Sequence, residues 1–205
     1  QVHYGFGEGA SGIALFLLYL HVLTGRGDFR AHAVAGVEYD LAKRVEGELG
    51  WQWSRHEGDT IVYPYHVHGS AGIGSVLIRF HRWLGDERYR ELAVRVAEDA
   101  FVKYAYMPGL FEGLAGIAEL MLDVYRFTGE ERFRAHAWDI AETILWFRME
   151  REGGTAFPGG WLTRISNDYA TGAAGIGLFL SRLLDGGPRL FLDLNLDGVR
   201  ECVRE

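Results

Sequence analysis

Apolar residues recur at helical spacing in four places along the chain. The runs are Ile13, Phe16, Leu17 and Leu20; Ile73, Leu77, Phe80 and Leu84; Ile117, Leu120, Met121 and Val124; and Ile176, Phe179, Leu180 and Leu183. Each opens on the string Gly-x-(Ala/Ser)-Gly-Ile, at Gly9–Ile13, Gly69–Ile73, Gly113–Ile117 and Gly172–Ile176. In the first three copies another glycine follows thirteen residues after the second glycine of the string, at Gly25, Gly85 and Gly129, where it stops the helix. Phe29, Tyr89 and Phe133, then Ala33, Ala93 and Ala137, continue the register. A second helix is expected to start near Asp28, Asp86 or Glu130, acids suited to a helix N-terminus, and to run through Ala93–Tyr104 and Ala137–Arg151. The unit is therefore an αα-hairpin, and the fold class all-α. The fourth copy departs at Gly186-Gly187-Pro188, as terminal repeats do. The first leading helix is apolar on nearly every side, which predicts an inner helix enclosed by outer ones.

Composition narrows the partners. The 205 residues suit one core, and 48% hydrophobic against 24% charged excludes a disordered chain. With 21 basic and 28 acidic side chains the net charge is −7, which opposes nucleic-acid binding. Cys202 is the lone cysteine, so neither an internal disulfide nor a thiolate cluster can form, and a reducing cytoplasm is the expected compartment. The apolar stretch Gly12–Leu20 falls short of the roughly 20 residues of a membrane span, so no membrane partner is expected. The chain opens on Gln1 with no signal pattern and reads as a piece of a longer protein.

Glycines at the helix entrances let loop and helix backbones approach closely, as inner helices converging at one end require. The same geometry aims helix N-termini at a shared mouth, where they would stabilise an anion. The loops before the motifs, 50–68, 105–112 and 153–171, crowd that mouth and are where function is expected.

These units, with Pro64-Tyr65-His66-Val67-His68-Gly69-Ser70-Ala71-Gly72-Ile73-Gly74, Gly113-Leu114-Ala115-Gly116-Ile117 and Gly172-Ala173-Ala174-Gly175-Ile176-Gly177, resemble the lanthionine cyclase (LanC-like) family. Gly5-Phe6-Gly7-Glu8-Gly9 narrows the resemblance to the cyclase domain of class III lanthipeptide synthetases, which also carry lyase and kinase domains. It covers roughly Gly5 to Leu184. It implies an α/α toroid of seven hairpins, of which residues 1–205 would hold the last four, with repeats beginning near 9, 69, 113 and 172. It also implies a precursor (leader–core) peptide as partner, and thioether rings made by adding cysteine thiols to dehydroalanine or dehydrobutyrine. The family's zinc ligands fall on Val67, on Phe111 with Glu112, and on Glu8. None is the expected ligand, so no cofactor is expected.

Without zinc, a thiol of pKa about 8.5 needs a general base. His66 and His68 are the first candidates, and Glu112, Asp168 and Tyr169 the second, all in the loops before the motifs. Helix N-termini would hold the enolate. Each residue has a plainer reading. The two histidines of His-Val-His, on one side of an extended segment, would equally bond loop carbonyls. Glu8 and Glu112 would equally complement a helix dipole. Trp51, Trp53, Tyr63 and Tyr65, with Glu8 and Phe111, would line a peptide groove, or the aromatic residues would anchor a loop to the core. His32 and His136 are read as packing residues.

Three function classes follow: a cyclase domain that works without zinc; a non-catalytic peptide-binding or scaffolding module of a synthetase; and an unrelated α/α-barrel acting on carbohydrate, which needs an acidic pair that the sequence does not single out. Four hairpins of seven would leave apolar flanks open and favour self-association.

Overall fold

The computed structural model describes residues 2–48 and 50–195; Cys202 lies outside them. Among the described residues seven α-helices dominate: α1 (Ala10–Thr24), α2 (Gly27–Ala42), α3 (Ser70–Leu84), α4 (Glu87–Ala100), α5 (Leu114–Thr128), α6 (Glu131–Leu145) and α7 (Ala173–Asp185). Each leading helix ends on a glycine in the positive-φ region, at φ 71°, 70° and 74° for Gly25, Gly85 and Gly129, as the punctuation predicts. α1/α2, α3/α4 and α5/α6 are hairpins. The inner helices neighbour one another in the order α1, α3, α5, α7, and α4 and α6 each also reach the next inner helix. The chain is thus an all-α segment of an α/α toroid.

The second helices are shorter than expected. α4 stops at Ala100, short of Tyr104. α6 stops at Leu145, beyond which β3 (Met149–Arg151) pairs antiparallel with β4 (Gly154–Ala156) in place of further helix. A smaller hairpin joins β1 (Val45–Glu46) to β2 (Trp51–Gln52). The enclosed helices are α3 and α5, not α1. Ile13 and Phe16 on α1 stand 63% and 62% exposed, because α1 ends the row and has a neighbour on one side alone. His32 is exposed instead of packed, whereas His136 stacks on Phe101 with ring centroids 3.8 Å apart.

Motif position explains the glycines. A Cβ on Gly12, Gly72, Gly116 or Gly175 would sit well inside contact distance of the carbonyl oxygen of Phe6, His66, Leu110 or Tyr169, in each case six residues earlier. The loop before each motif therefore folds down onto the first turn of its helix.

Seven residues beyond those glycines stand Tyr19, Arg79, Asp123 and Arg182, facing one another across the inner helices. Asp123, fully buried, accepts hydrogen bonds from Arg79 (2.7 and 3.2 Å) and Arg182 (2.7 Å). Arg182 also pairs with Glu119. The segment after α7 closes over this network: Arg189 reaches Ser75 (3.0 Å) and Asp123 (3.4 Å), Asp193 pairs with Arg79 (2.8 Å), and the Tyr19 hydroxyl donates to Leu192 O (2.6 Å). Burial alone would raise the Asp123 pKa, but three guanidinium groups hold it well below the usual carboxylate range.

Candidate functional site

The four loops before the motifs are laced together through their backbones. At the second residue before each first glycine, Gly7 N–H donates to Val67 O (2.9 Å), Val67 N–H to Phe111 O (2.9 Å) and Phe111 N–H to Ala170 O (2.8 Å). This ladder sets equivalent residues of successive repeats side by side. One residue closer to the helix it aligns Glu8, His68, Glu112 and Thr171; one residue further away, Phe6, His66, Leu110 and Tyr169.

The first row is polar: Glu8 and Glu112 are partly exposed, while His68 between them is buried at 7% exposure, its Nδ1 without a hydrogen-bond partner. His68 Nε2 lies 4.0 Å from Glu8 Oε2 and 3.9 Å from Glu112 Oε1. Glu8 is held in turn by His3 Nδ1 at 2.8 Å. Burial and the Arg55 guanidinium push the His68 pKa down, while the two carboxylates push it up; the net shift is downward. His68 is therefore a neutral imidazole at neutral pH, ready to take a proton, with two carboxylates placed to stabilise the imidazolium that results.

The second row is apolar and points into the core, which separates His66 from His68. His66 is 3% exposed, its ring 4.5 Å from Phe6 and 6.0 Å from Phe111 by centroids. Its Nδ1 is buried without a hydrogen-bond partner. Burial, reinforced by Arg189, pushes its pKa well below the ordinary histidine value. His66 is thus packed among core residues, apart from the carboxylates that flank His68. The two histidines diverge because residues 65–69 bend instead of running extended.

Other candidates are relocated too. Asp168 binds its own loop, accepting from Thr171 N–H (2.6 Å), Thr171 Oγ1 (2.9 Å) and Ser166 Oγ. These bonds bring its pKa down to about 2, so it is a turn residue and a poor base. Tyr169 packs edge-on against Phe111 at 6.0 Å, and burial pushes its hydroxyl pKa up. Trp53 cannot line a groove: it is fully buried and donates from Nε1 to Asp40 O (2.6 Å). Trp51 has its ring held between Arg44 (4.1 Å) and Arg95 (5.0 Å), the latter on outer helix α4, while its backbone oxygen accepts from Ser70 Oγ (3.5 Å) at the start of α3. Tyr63 lies under Arg55 at 5.0 Å, and half-buried Tyr65 stays near Glu112.

The leading N–H groups of the inner helices are already partnered among the described residues. The first N–H groups of α3 donate to Tyr63 O and Pro64 O, those of α5 to Met107 O and Pro108 O, and that of α7 to Ser166 O. In α1, Ser11 N–H donates to Asp40 Oδ2 (2.8 Å), as does Ser11 Oγ (2.6 Å). The folded-down loops thus take the leading donors of α3, α5 and α7, and Asp40 of α2 that of Ser11 in α1.

His3 and Arg55 escaped the sequence reading because neither belongs to the repeat; chain pairing delivers them, through the bridge His3↔His56 and the bond from Tyr4 N–H to Arg55 O (2.9 Å). Zinc would demand thiolates that this row lacks. The side chains at the two thiolate positions are Val67 and Phe111, and among the described residues no group of three or more His, Cys, Asp or Glu is placed to hold a metal ion. This donor set does not fit a thiolate-held zinc site.

Comparison with known proteins agrees with this architecture. Residues 1–196 match the model of the family described as lanthionine synthetase C-like protein, and the chain belongs to that family. It is 30% identical over 180 residues to a probable SapB synthase of Streptomyces coelicolor (strain ATCC BAA-471 / A3(2) / M145), covering 88% of this chain and 19% of that protein. The chain thus spans about a fifth of the length of that relative. Among solved structures, a glycoside hydrolase family 76 mannosidase from Bacteroides thetaiotaomicron VPI-5482 superposes with a TM-score of 0.53 at 14% identity, over 86% of this chain and 52% of that one. That likeness is one of fold. Among the described residues no helix is long and apolar enough to cross a membrane.

Proposed function

We propose that this chain is the cyclase part of a class III-type lanthipeptide synthetase, closing thioether rings by proton transfer at His68 without a zinc ion. The observation that carries this reading is the placement of His68 Nε2 between the carboxylates of Glu8 (4.0 Å) and Glu112 (3.9 Å). In the reaction His68 Nε2 takes the proton of a peptide cysteine thiol. The sulfur forms a bond to the β-carbon of a dehydroalanine or dehydrobutyrine, and the alkene π pair moves toward the carbonyl as an enolate. The imidazolium, held by the two carboxylates, then returns its proton to the α-carbon. Arg55, which lies within electrostatic reach of His68, supplies positive charge for the enolate in place of the occupied helix N-termini. The partners of this reading are a dehydrated precursor peptide and the lyase and kinase domains of the same synthetase, in the cytoplasm.

The test is ring closure in a synthetic peptide holding one dehydroalanine and one cysteine, followed by mass spectrometry with thiol capping. Wild type is expected to exceed buffer, and His68→Gln to lose about 10²-fold or more of that acceleration, the usual share of a general base. Because the His68 pKa is lowered, its neutral form persists below pH 6.5 and the acceleration should too. A wild-type rate no faster than buffer would leave the chain a peptide-holding module.

A further inference from the structure

The loops before the third and fourth motifs expose aromatic side chains that the hydrophobic core does not use. Tyr104 and Trp146 stack at 5.7 Å, and Tyr106 and Trp161 meet at 6.4 Å. All four are more than half exposed, Trp161 the most at 71%. Tyr104 and Tyr106 are two residues apart, so the two pairs adjoin along the chain. Trp161 and Leu162 hold φ of 56° and 57°, the left-handed region that ordinary side chains avoid at a cost of about 1–2 kcal/mol each. That conformation turns an indole toward solvent, and no core contact repays it. Strain kept to expose an apolar surface points to a binding role.

The patch neighbours the row that holds His68. Tyr106 and Glu112 both lie within electrostatic reach of the Tyr65 hydroxyl, and Glu112 lies 3.9 Å from His68.

We propose that Tyr104, Tyr106, Trp146 and Trp161 form a docking platform for apolar side chains of the extended precursor peptide that flank the residues being joined. This rests on the cyclase reading for the identity of the peptide. Aromatic faces suit such an occupant: they offer large rigid area, accept many apolar side chains and lose little conformational freedom on binding. The platform would select peptides by hydrophobic flanks instead of by a fixed sequence.

The experiment measures binding without turnover. Two fluorescein-labelled peptides share one dehydroalanine and one serine in place of cysteine; one carries leucine and phenylalanine flanks, the other serine and glycine flanks. Fluorescence anisotropy with the purified chain is expected to show the apolar peptide bound about tenfold more tightly. Tyr106→Ala, and separately Trp161→Gly, which removes the indole but suits the left-handed backbone, should bring the ratio toward one with the melting temperature kept within a few degrees. Equal binding of both peptides by wild type, or an unchanged ratio in both variants, overturns the platform. So does a fall in light-scattering mass in the variants with the ratio intact, which would make the patch a contact between copies. A wild type that binds selectively yet never accelerates ring closure would sink the cyclase reading and leave the platform standing.

Discussion

Replacing His66 by leucine separates a structural histidine from a catalytic one. Leu110 holds the equivalent position in the next repeat, so the substitution borrows a side chain that the scaffold already accepts there. In the folded protein His66 is buried and its pKa lies well below the ordinary value, whereas in the unfolded chain it titrates near 6.5. A histidine with a depressed native pKa contributes fully above the unfolded value, and stability is lost as pH falls below it, since the unfolded state alone takes up the proton. Each pH unit is worth about 1.4 kcal/mol, so between pH 8 and pH 5 wild type loses at most about 2 kcal/mol through this residue. At about 2–4 °C per kcal/mol for a chain of this size, that is about 4–8 °C of melting temperature. His68 and His136, whose pKa values are also lowered by burial, add loss of the same sign that the variant keeps. Thermal melts at both pH values should therefore show His66→Leu losing distinctly less than wild type, with ring closure retained. Equal pH slopes would refute the linkage argument. Loss of ring closure at an unchanged melting temperature would return His66 to the catalytic machinery.

Two more perturbations probe the scaffold. Asp123→Asn leaves three buried guanidinium groups to share Glu119 and Asp193, and should cost about 3–5 kcal/mol at pH 7. Because the native Asp123 pKa is depressed, that difference should hold down to about pH 5 and shrink only below the unfolded aspartate pKa of about 3.9. A melting temperature within a degree of wild type at pH 7 would show that the network is dispensable. Gly116→Ala places a Cβ against Leu110 O and 2.9 Å from His66 Cβ, and should destabilise by about 1–3 kcal/mol in urea titration, whereas Gly177→Ala in α7 meets nothing within 4 Å and should stabilise by about 0.5–1 kcal/mol. The same sign for both would contradict the close-approach account of the motif.

The hairpins were legible in the sequence because their signals are local: apolar spacing, a glycine stop, and an acid at the next helix start. Loop chemistry was legible in position but not in direction. His66 and His68 were expected to share a side, as residues two apart do in an extended strand; the bend over 65–69 sends one among core residues and the other between two carboxylates. The aromatic residues are dispersed for a related reason. Trp53 and Trp51 stand closer in sequence to His68, but Asp40 and the arginines of other elements capture them. Tyr106 and Trp161, separated by 55 residues, are brought together by loops that carry no motif of their own. Asp40, which receives both donors of Ser11 and binds Trp53 through its carbonyl, gave no sequence signal because it sits on an ordinary outer helix.

How the loops are held explains why the chemistry at the mouth can depart from the thiolate pattern while the fold persists. Alignment of the reactive row depends on backbone bonds between Gly7, Val67, Phe111 and Ala170, and on glycines pressed against backbone carbonyls. Neither device asks anything of the side chain at the first residue before each motif, whereas at the second a Cβ on Gly7 would come 2.2 Å from Val67 Cγ2. Val67 and Phe111 contribute an N–H and a carbonyl that any residue but proline would contribute. The side chains of Glu8, His68 and Glu112 are free to change without loosening the register that brings them together. A histidine between two carboxylates therefore needs no architecture of its own, only side chains at positions the ladder already aligns.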